Sequence, residues 1–203
     1  MTRRDCLLAT SVLVATPLRA LAQAITPKTI DPRFVRLWTD AQRERPSTIL
    51  SVARIAPEGE PGTALTIRGQ VFSENGRGPL PHAVVFAYHT DATGAYNRPG
   101  VSGWRLKGWA MTDAEGRFTF ETIRPAPYPS HREAAHVHLS VEGAGVRRQT
   151  LEDVLFADDP LLSAAQRERS QAAGRFSNIV PATVRDGRQE CAIIFRPTGE
   201  FVF

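Results

Sequence analysis

Three features of this sequence have residue types and spacing that could do chemistry, and the sharpest is His136-Val137-His138. On a β-strand residues i and i+2 project from one face about 7 Å apart, so both imidazoles can reach a single metal ion. Taken alone, the pair is only modest evidence and reads more readily as two surface or half-buried histidines, and any further ligands have to come from elsewhere. No acidic residue adjoins the pair and there is no cysteine cluster, which disfavours a structural zinc site of the Cys/His kind. The chain has three tyrosines. Tyr96 stands in Thr93-Gly-Ala-Tyr-Asn97, directly after a strand and a Gly turn. Tyr128 stands in Pro125-Ala-Pro-Tyr-Pro129, where prolines keep the backbone extended and deny it helix or ladder roles. Tyr88 lies within a strand and reads as a core or interface aromatic. Singly, Tyr96 and Tyr128 are turn aromatics; their order ahead of the histidine pair sets them apart.

The elements that must hold these residues are mostly strands. Period-two patterning marks Leu65–Phe72, Ala83–Tyr88, Gly108–Thr112, Arg117–Ile123, His136–Val141 and Cys191–Phe195, with Val154–Phe156 as a shorter one. Turn chemistry separates them, in Glu74-Asn-Gly-Arg-Gly-Pro79, Asp113-Ala-Glu-Gly116 and Glu142-Gly-Ala-Gly145. Such a run of short strands predicts a mainly β protein, an antiparallel two-sheet β-sandwich with short peripheral helices, over residues 64–203. Before it, residues 23–63 read as an N-terminal helix and linker: Phe34, Val35 and Trp38 have helical spacing behind Asp31-Pro32, and 53–62 reads as an exposed loop. Ser163–Ala173 is a polar, Ala-rich helix closed by Gly174, a surface insertion to which the sequence attaches no chemistry.

Residues 1–22 read as an export signal: Arg3-Arg4, a short apolar stretch interrupted by Thr16-Pro17, then Ala20-Leu-Ala22 before the cleavage point. The stretch is too short for a lasting membrane anchor. Thr-Arg-Arg-Asp-Cys-Leu-Leu resembles a twin-arginine signal, which implies a bacterial protein delivered already folded to the periplasm. Of the 203 residues, 42% are apolar and 23% charged, as expected of a globular protein. The formal charge of +4 falls to about +2 once Arg3, Arg4, Arg19 and Asp5 are removed. The densest basic run of the remainder, Arg147-Arg148, is too short to follow a phosphate backbone, which argues against a nucleic-acid partner. Cys6 lies inside the signal, so Cys191 stays single; its alternation with apolar neighbours predicts a buried structural thiol.

The ordered blocks Arg68-Gly69, Ala83–Tyr88, Gly94-Ala-Tyr96, Thr112–Pro125, Tyr128-Pro129, His136-Val-His138 and Val154–Leu162 together resemble the intradiol ring-cleavage dioxygenases, from about Ala64 to Pro197. That resemblance implies Fe(III) held by Tyr96, Tyr128, His136 and His138, with no organic cofactor. Oxygen donors suit a hard ferric ion. It also implies a catechol-type substrate and O2. The diol would chelate the iron and displace Tyr128, which leaves as a base, and the ring would break between its hydroxyl-bearing carbons to give a muconate-type diacid. The aromatic-bearing strands leave room for an interface with a second copy or a related subunit.

The pattern departs from the family at two places. An arginine usually stands three residues before the first histidine ligand, where its charge stabilises the activated substrate. Here Arg132 stands four before His136, so it fills that role only if the loop adjusts, and otherwise is a surface arginine. Asp153 stands where a glutamine near the substrate is usual, which disfavours a carboxylated catechol. His131 borders the histidine pair as a rim residue, His82 and His89 flank a strand and are expected at the surface, and Trp104 and Trp109 read as pocket wall or core. The rival to the enzyme is a non-catalytic, exported β-sandwich that keeps the fold as a binding or metal-binding protein.

Overall fold

The structure is a computed structural model described over residues 31–130, 132–197 and 199. The segment read as an export signal, 1–22, and His131 lie outside the described residues. The described residues from Pro32 onward form one compact unit. Among the described residues no helix is long and apolar enough to cross a membrane.

The strands follow the period-two segments closely: β2 (Ala64–Val71), β3 (Val84–His89), β4 (Leu106–Met111), β5 (Arg117–Ile123), β6 (His136–Gly143), β8 (Val154–Phe156) and β11 (Arg188–Phe195). Four more, β1 (Val52–Arg54), β7 (Val146–Thr150), β9 (Ile179–Val180) and β10 (Thr183–Arg185), are too short or too polar to carry a periodic signal. The first sheet runs β1-β5-β2-β11-β10. The second runs β4-β3-β6-β8-β9, with β7 also paired to β6. The two sheets form the expected sandwich, and most pairs are antiparallel. Among the described residues three pairs are parallel: β1 with β5, β2 with β11, and β8 with β9. The segment read as a linker thus contributes β1 to the edge of the first sheet.

Between the sheets lies the main core, in which Leu65, Ile67, Val71, Phe118, Phe120, Val85, Val137 and Phe156 are buried. Cys191 belongs to it as a free thiol, its pKa pushed up to about 12 by burial. A second cluster covers the outer face of the second sheet. Helix α1 (Pro32–Arg43) lays Trp38 and Ala41 against Val84, Phe86, Tyr88, Trp104 and Trp109. Strand β3 is therefore buried on both faces, with Val85 and Ala87 turned to the sandwich interior and Phe86 and Tyr88 to the helix. Helix α2 (Ala164–Ala172) starts with a capping box between Ser163 and Gln166, which satisfies orphan N–H groups of its first turn.

His89 does not sit at the surface. It is fully buried at the end of β3, its Nδ1–H donating to the Thr90 carbonyl at 2.7 Å and its Nε2 lying 2.7 Å from the Thr122 hydroxyl on the opposite sheet. The face it occupies follows from its two-residue offset from Ala87. Burial pushes its pKa down to about 4. Below pH 6.5 the unfolded chain gains a proton that the folded chain refuses, so His89 contributes stability above 6.5 that is lost as pH falls toward 4. Urea unfolding at pH 7 and at pH 4.5 is expected to differ by about 2–3 kcal/mol from this residue, at about 1.4 kcal/mol per pKa unit. His89→Asn should flatten that part of the pH dependence while lowering stability at pH 7.

Candidate metal centre

Strand β6 carries His136 and His138 on the outer face of the second sheet and turns Val137 into the core. Its neighbour β3 places Tyr88 opposite His138, and their rings stack with centroids 4.7 Å apart. Trp104 stacks on Tyr88 in turn, at 3.7 Å. Tyr88 and Trp104 are thus a wall that fixes the plane of His138, and the tyrosine hydroxyl takes no part in the donor cluster.

The two other tyrosines arrive on loops laced to each other. After β3, Asp91 folds the chain back: its Oδ1 accepts from the Thr93 N–H and hydroxyl and from the Ala95 N–H, and its backbone N–H donates to the Ala95 carbonyl. This Asx turn delivers Tyr96. After β5, the proline-bounded segment runs extended past it. The Ala126 N–H donates to the Asp91 carbonyl, and the Thr90 hydroxyl donates to the Ala126 carbonyl. Gly94 permits the approach, since a Cβ there would stand 2.2 Å from the Pro127 carbonyl oxygen.

The structure brings Tyr96, Tyr128, His136 and His138 together at their polar tips. The two phenol oxygens are 2.5 Å apart, the two Nε2 atoms 3.0 Å apart, and the Tyr128 oxygen lies 3.1 and 3.3 Å from the Nε2 of His136 and His138. The Tyr96 oxygen is 2.9 Å from the Nε2 of His138. His136 Nδ1 donates to the Ala134 carbonyl at 2.7 Å, and His138 Nδ1 donates to the Asp153 carboxylate at 2.9 Å. Those partners only accept, so each proton sits on Nδ1 and each Nε2 lone pair points at the cluster centre. Without a metal the Tyr96 and Tyr128 hydroxyls can donate to the Nε2 atoms of His138 and His136, and the same four atoms converge closely enough to hold a cation in place of those protons. Donors about 2.1 Å from a common first-row metal lie about 3.0–3.4 Å from one another, which most of these separations match. Burial, then their mutual contacts, raises the pKa of Tyr96, and burial likewise raises that of Tyr128. Both phenols stay protonated without a metal, and only a nearby positive charge would convert them to phenolates. The donor set fits a hard trivalent ion.

His136, His138 and Asp153 also lie close enough to be considered a three-donor group. Asp153, however, faces the ring edge of His138 opposite to the Nε2 atoms, so it holds the imidazole rather than joining the cluster.

A cavity of about 340 Å³ opens beside the two histidines, lined by Glu133, Glu152, Asp153, Arg169 and Asn178 among others. Arg132 is exposed and is not part of that lining; Glu133, three residues before His136, occupies it. The charge of Glu133 contributes to the raised pKa of Tyr128. Helix α2 forms one wall through Gln166, Arg169 and Ser170, a contribution with no mark in its polar sequence. Buried Asp159 is a further supporting residue that patterning did not reveal. Its carboxylate accepts from the Ala135 and Leu161 N–H groups, both at 2.8 Å, and pins the backbone entering β6.

A family model described as Dioxygenase matches residues 42–185. The chain is 33% identical over 118 residues to the protocatechuate 3,4-dioxygenase beta chain of Burkholderia cepacia, covering 52% of this chain and 50% of the relative. It is 31% identical over 129 residues to catechol 1,2-dioxygenase 2 of Acinetobacter lwoffii, covering 54% and 46%. It thus spans about half the length of the curated relatives it matches. Among solved structures, the dioxygenase domain of a carbohydrate-binding fusion from Streptomyces sp. SirexAA-E superposes with a TM-score of 0.54 at 24% identity, covering 70% of this chain and 84% of that one. The intradiol ring-cleavage dioxygenase of Tetranychus urticae gives 0.54 at 18% identity, covering 76% and 90%; these likenesses speak for the fold. The family match takes in both tyrosine loops and β6, and the chain belongs to the intradiol ring-cleavage dioxygenase family.

Proposed function

We propose that this protein is an exported ferric intradiol dioxygenase: it takes a catechol-type diol and O2 and cleaves the ring between the hydroxyl-bearing carbons to a muconate-type diacid. The observation that carries this reading is the convergence of two phenol oxygens and two inward Nε2 lone pairs at one point. When bound, Fe(III) supplies Lewis acidity and a template for the diol. Tyr128 touches all three other donors and is less deeply buried than Tyr96, so with the metal bound it would be the phenolate that accepts a substrate proton. Tyr96, packed against Tyr88, stays and anchors. Glu133, Glu152 and Asp153 make the cavity acidic and disfavour a substrate with its own carboxylate. Export through a twin-arginine signal belongs to the same reading and suits a metal loaded before translocation.

The test uses protein recovered from the periplasm and cleaved after Ala22. One iron per chain, a red-brown tyrosinate-to-iron absorption band, a shift of that band on adding catechol, and ring-cleaved product are expected. Tyr96→Phe should weaken the colour and Tyr88→Phe should not. A colourless protein that takes up no iron and leaves catechol intact would defeat the proposal. Iron binding with a catechol-induced shift but no product would favour the second reading, a binding protein without turnover, for which the exposed Arg132 and the cavity-lining Glu133 speak.

A further inference from the structure

The pairing of β6 with β8 sets His136 against Leu155 and Val137 against Val154, so the next antiparallel step brings His138 to Asp153. Asp153 is held there from behind: its carbonyl accepts from the Asn178 side chain at 2.9 Å, and the Asn178 carbonyl accepts from the Leu155 N–H, also at 2.9 Å. The His138 nitrogen of this contact is on β6, and the Asp153 carboxylate belongs to the residue directly before β8. His136 has a neutral carbonyl behind it, whereas His138 has a full negative charge. The two histidines of one cluster are electronically unequal.

On the proposed iron site, we infer that Asp153 is a positioning and tuning residue. Its carboxylate locks the Nδ1–H tautomer of His138 and makes this histidine the stronger nitrogen donor, which favours the ferric over the ferrous ion. A carboxylate accepting from a ligand imidazole orients the ring and raises its basicity. A fixed anion close to the metal stabilises the higher charge state by Coulomb attraction. The inequality is confined to one side of the cluster, because the Ala134 carbonyl can orient His136 but adds no net charge.

The experiment compares the iron-loaded wild type with Asp153→Asn, which keeps an acceptor of similar shape without the charge, and with Asp153→Glu, which restores the charge. For Asp153→Asn, iron release to a chelator is expected to be roughly 10–100-fold faster. The tyrosinate-to-iron band should move to longer wavelength as the metal becomes more electron-poor, and the iron should be reduced at a higher potential. Asp153→Glu should recover at least part of each change. Thermal unfolding of the metal-free proteins should be nearly unchanged, since Asp153 is partly exposed. Iron release, band and potential unaltered in Asp153→Asn would overturn the inference while leaving the iron reading intact. So would changes matched by an equal loss of stability in the metal-free protein, which would mark a merely structural role. A wild type that binds no iron would overturn the iron reading, and this inference with it.

Discussion

Gly94→Ala is expected to destabilise the protein by about 3 kcal/mol or more and to abolish iron retention. Two effects combine. Gly94 has φ +83, in the region where a Cβ crowds the backbone, which costs about 1–2 kcal/mol for an L-residue. The added Cβ would also stand 2.2 Å from the Pro127 carbonyl oxygen, a fixed backbone atom directly before Tyr128. Something must shift, and overpacking of this kind costs about 1–3 kcal/mol. The shift separates the two loops whose phenol oxygens lie 2.5 Å apart, so the proposed metal donors part before the sandwich unfolds. Gly100→Ala is the control: its φ is +78, but its Cβ would meet nothing within 4 Å. It should show the conformational strain alone, with iron content unaffected. Urea unfolding and iron analysis of both variants check this, and equal loss of iron in the two would refute the clash argument.

Asp159→Ala is expected to lower stability by about 3–4 kcal/mol. The side chain is buried, and its two carboxylate oxygens accept from two backbone N–H groups, of which that of Ala135 is buried and has no water to turn to. Hydrogen bonds to a charged group are worth about 1.5–3 kcal/mol, and a buried donor left unpaired adds its desolvation penalty. The Ala135 N–H would be the orphan, next to the residue that positions His136. Iron affinity should fall as well, through His136 rather than through direct contact. Asp159→Asn keeps one acceptor but turns an amide donor toward one N–H, so its stability should lie between wild type and alanine. Denaturant titrations of the metal-free proteins measure the first effect, and chelator competition the second. An Asp159→Ala protein as stable as wild type would sink the argument.

How much could be read from the sequence depended on how local the determinant was. β5 and β8 begin and end where the alternating pattern does, because their inward residues meet one continuous core. β1 and β10 are three residues each and have no periodic signature; each exists because a longer neighbour offers unpaired backbone groups. β7, Val-Arg-Arg-Gln-Thr, is too polar to stand out and is held by pairing with β6. His89 misled for a related reason. A polar residue at a strand end reads as surface, yet its face is set by the pleat and its partner is Thr122 on the other sheet.

The sequence by itself determined the candidate donors and their order, a turn-borne and a proline-bounded tyrosine ahead of two histidines on one strand face, because residue identity and the two-residue period of a strand are local facts. It also determined that the chain builds a β-sandwich, since alternation demands two buried faces. Only the tertiary structure decided that the two tyrosine loops touch through Gly94 and Pro127, that Glu133 rather than Arg132 lines the cavity, that the polar helix α2 walls it, and that Asp153 stands behind His138. Each of these is a contact between segments distant in the chain or across a strand register. Sheet pairing and loop packing create such contacts, and no pattern within one segment encodes them.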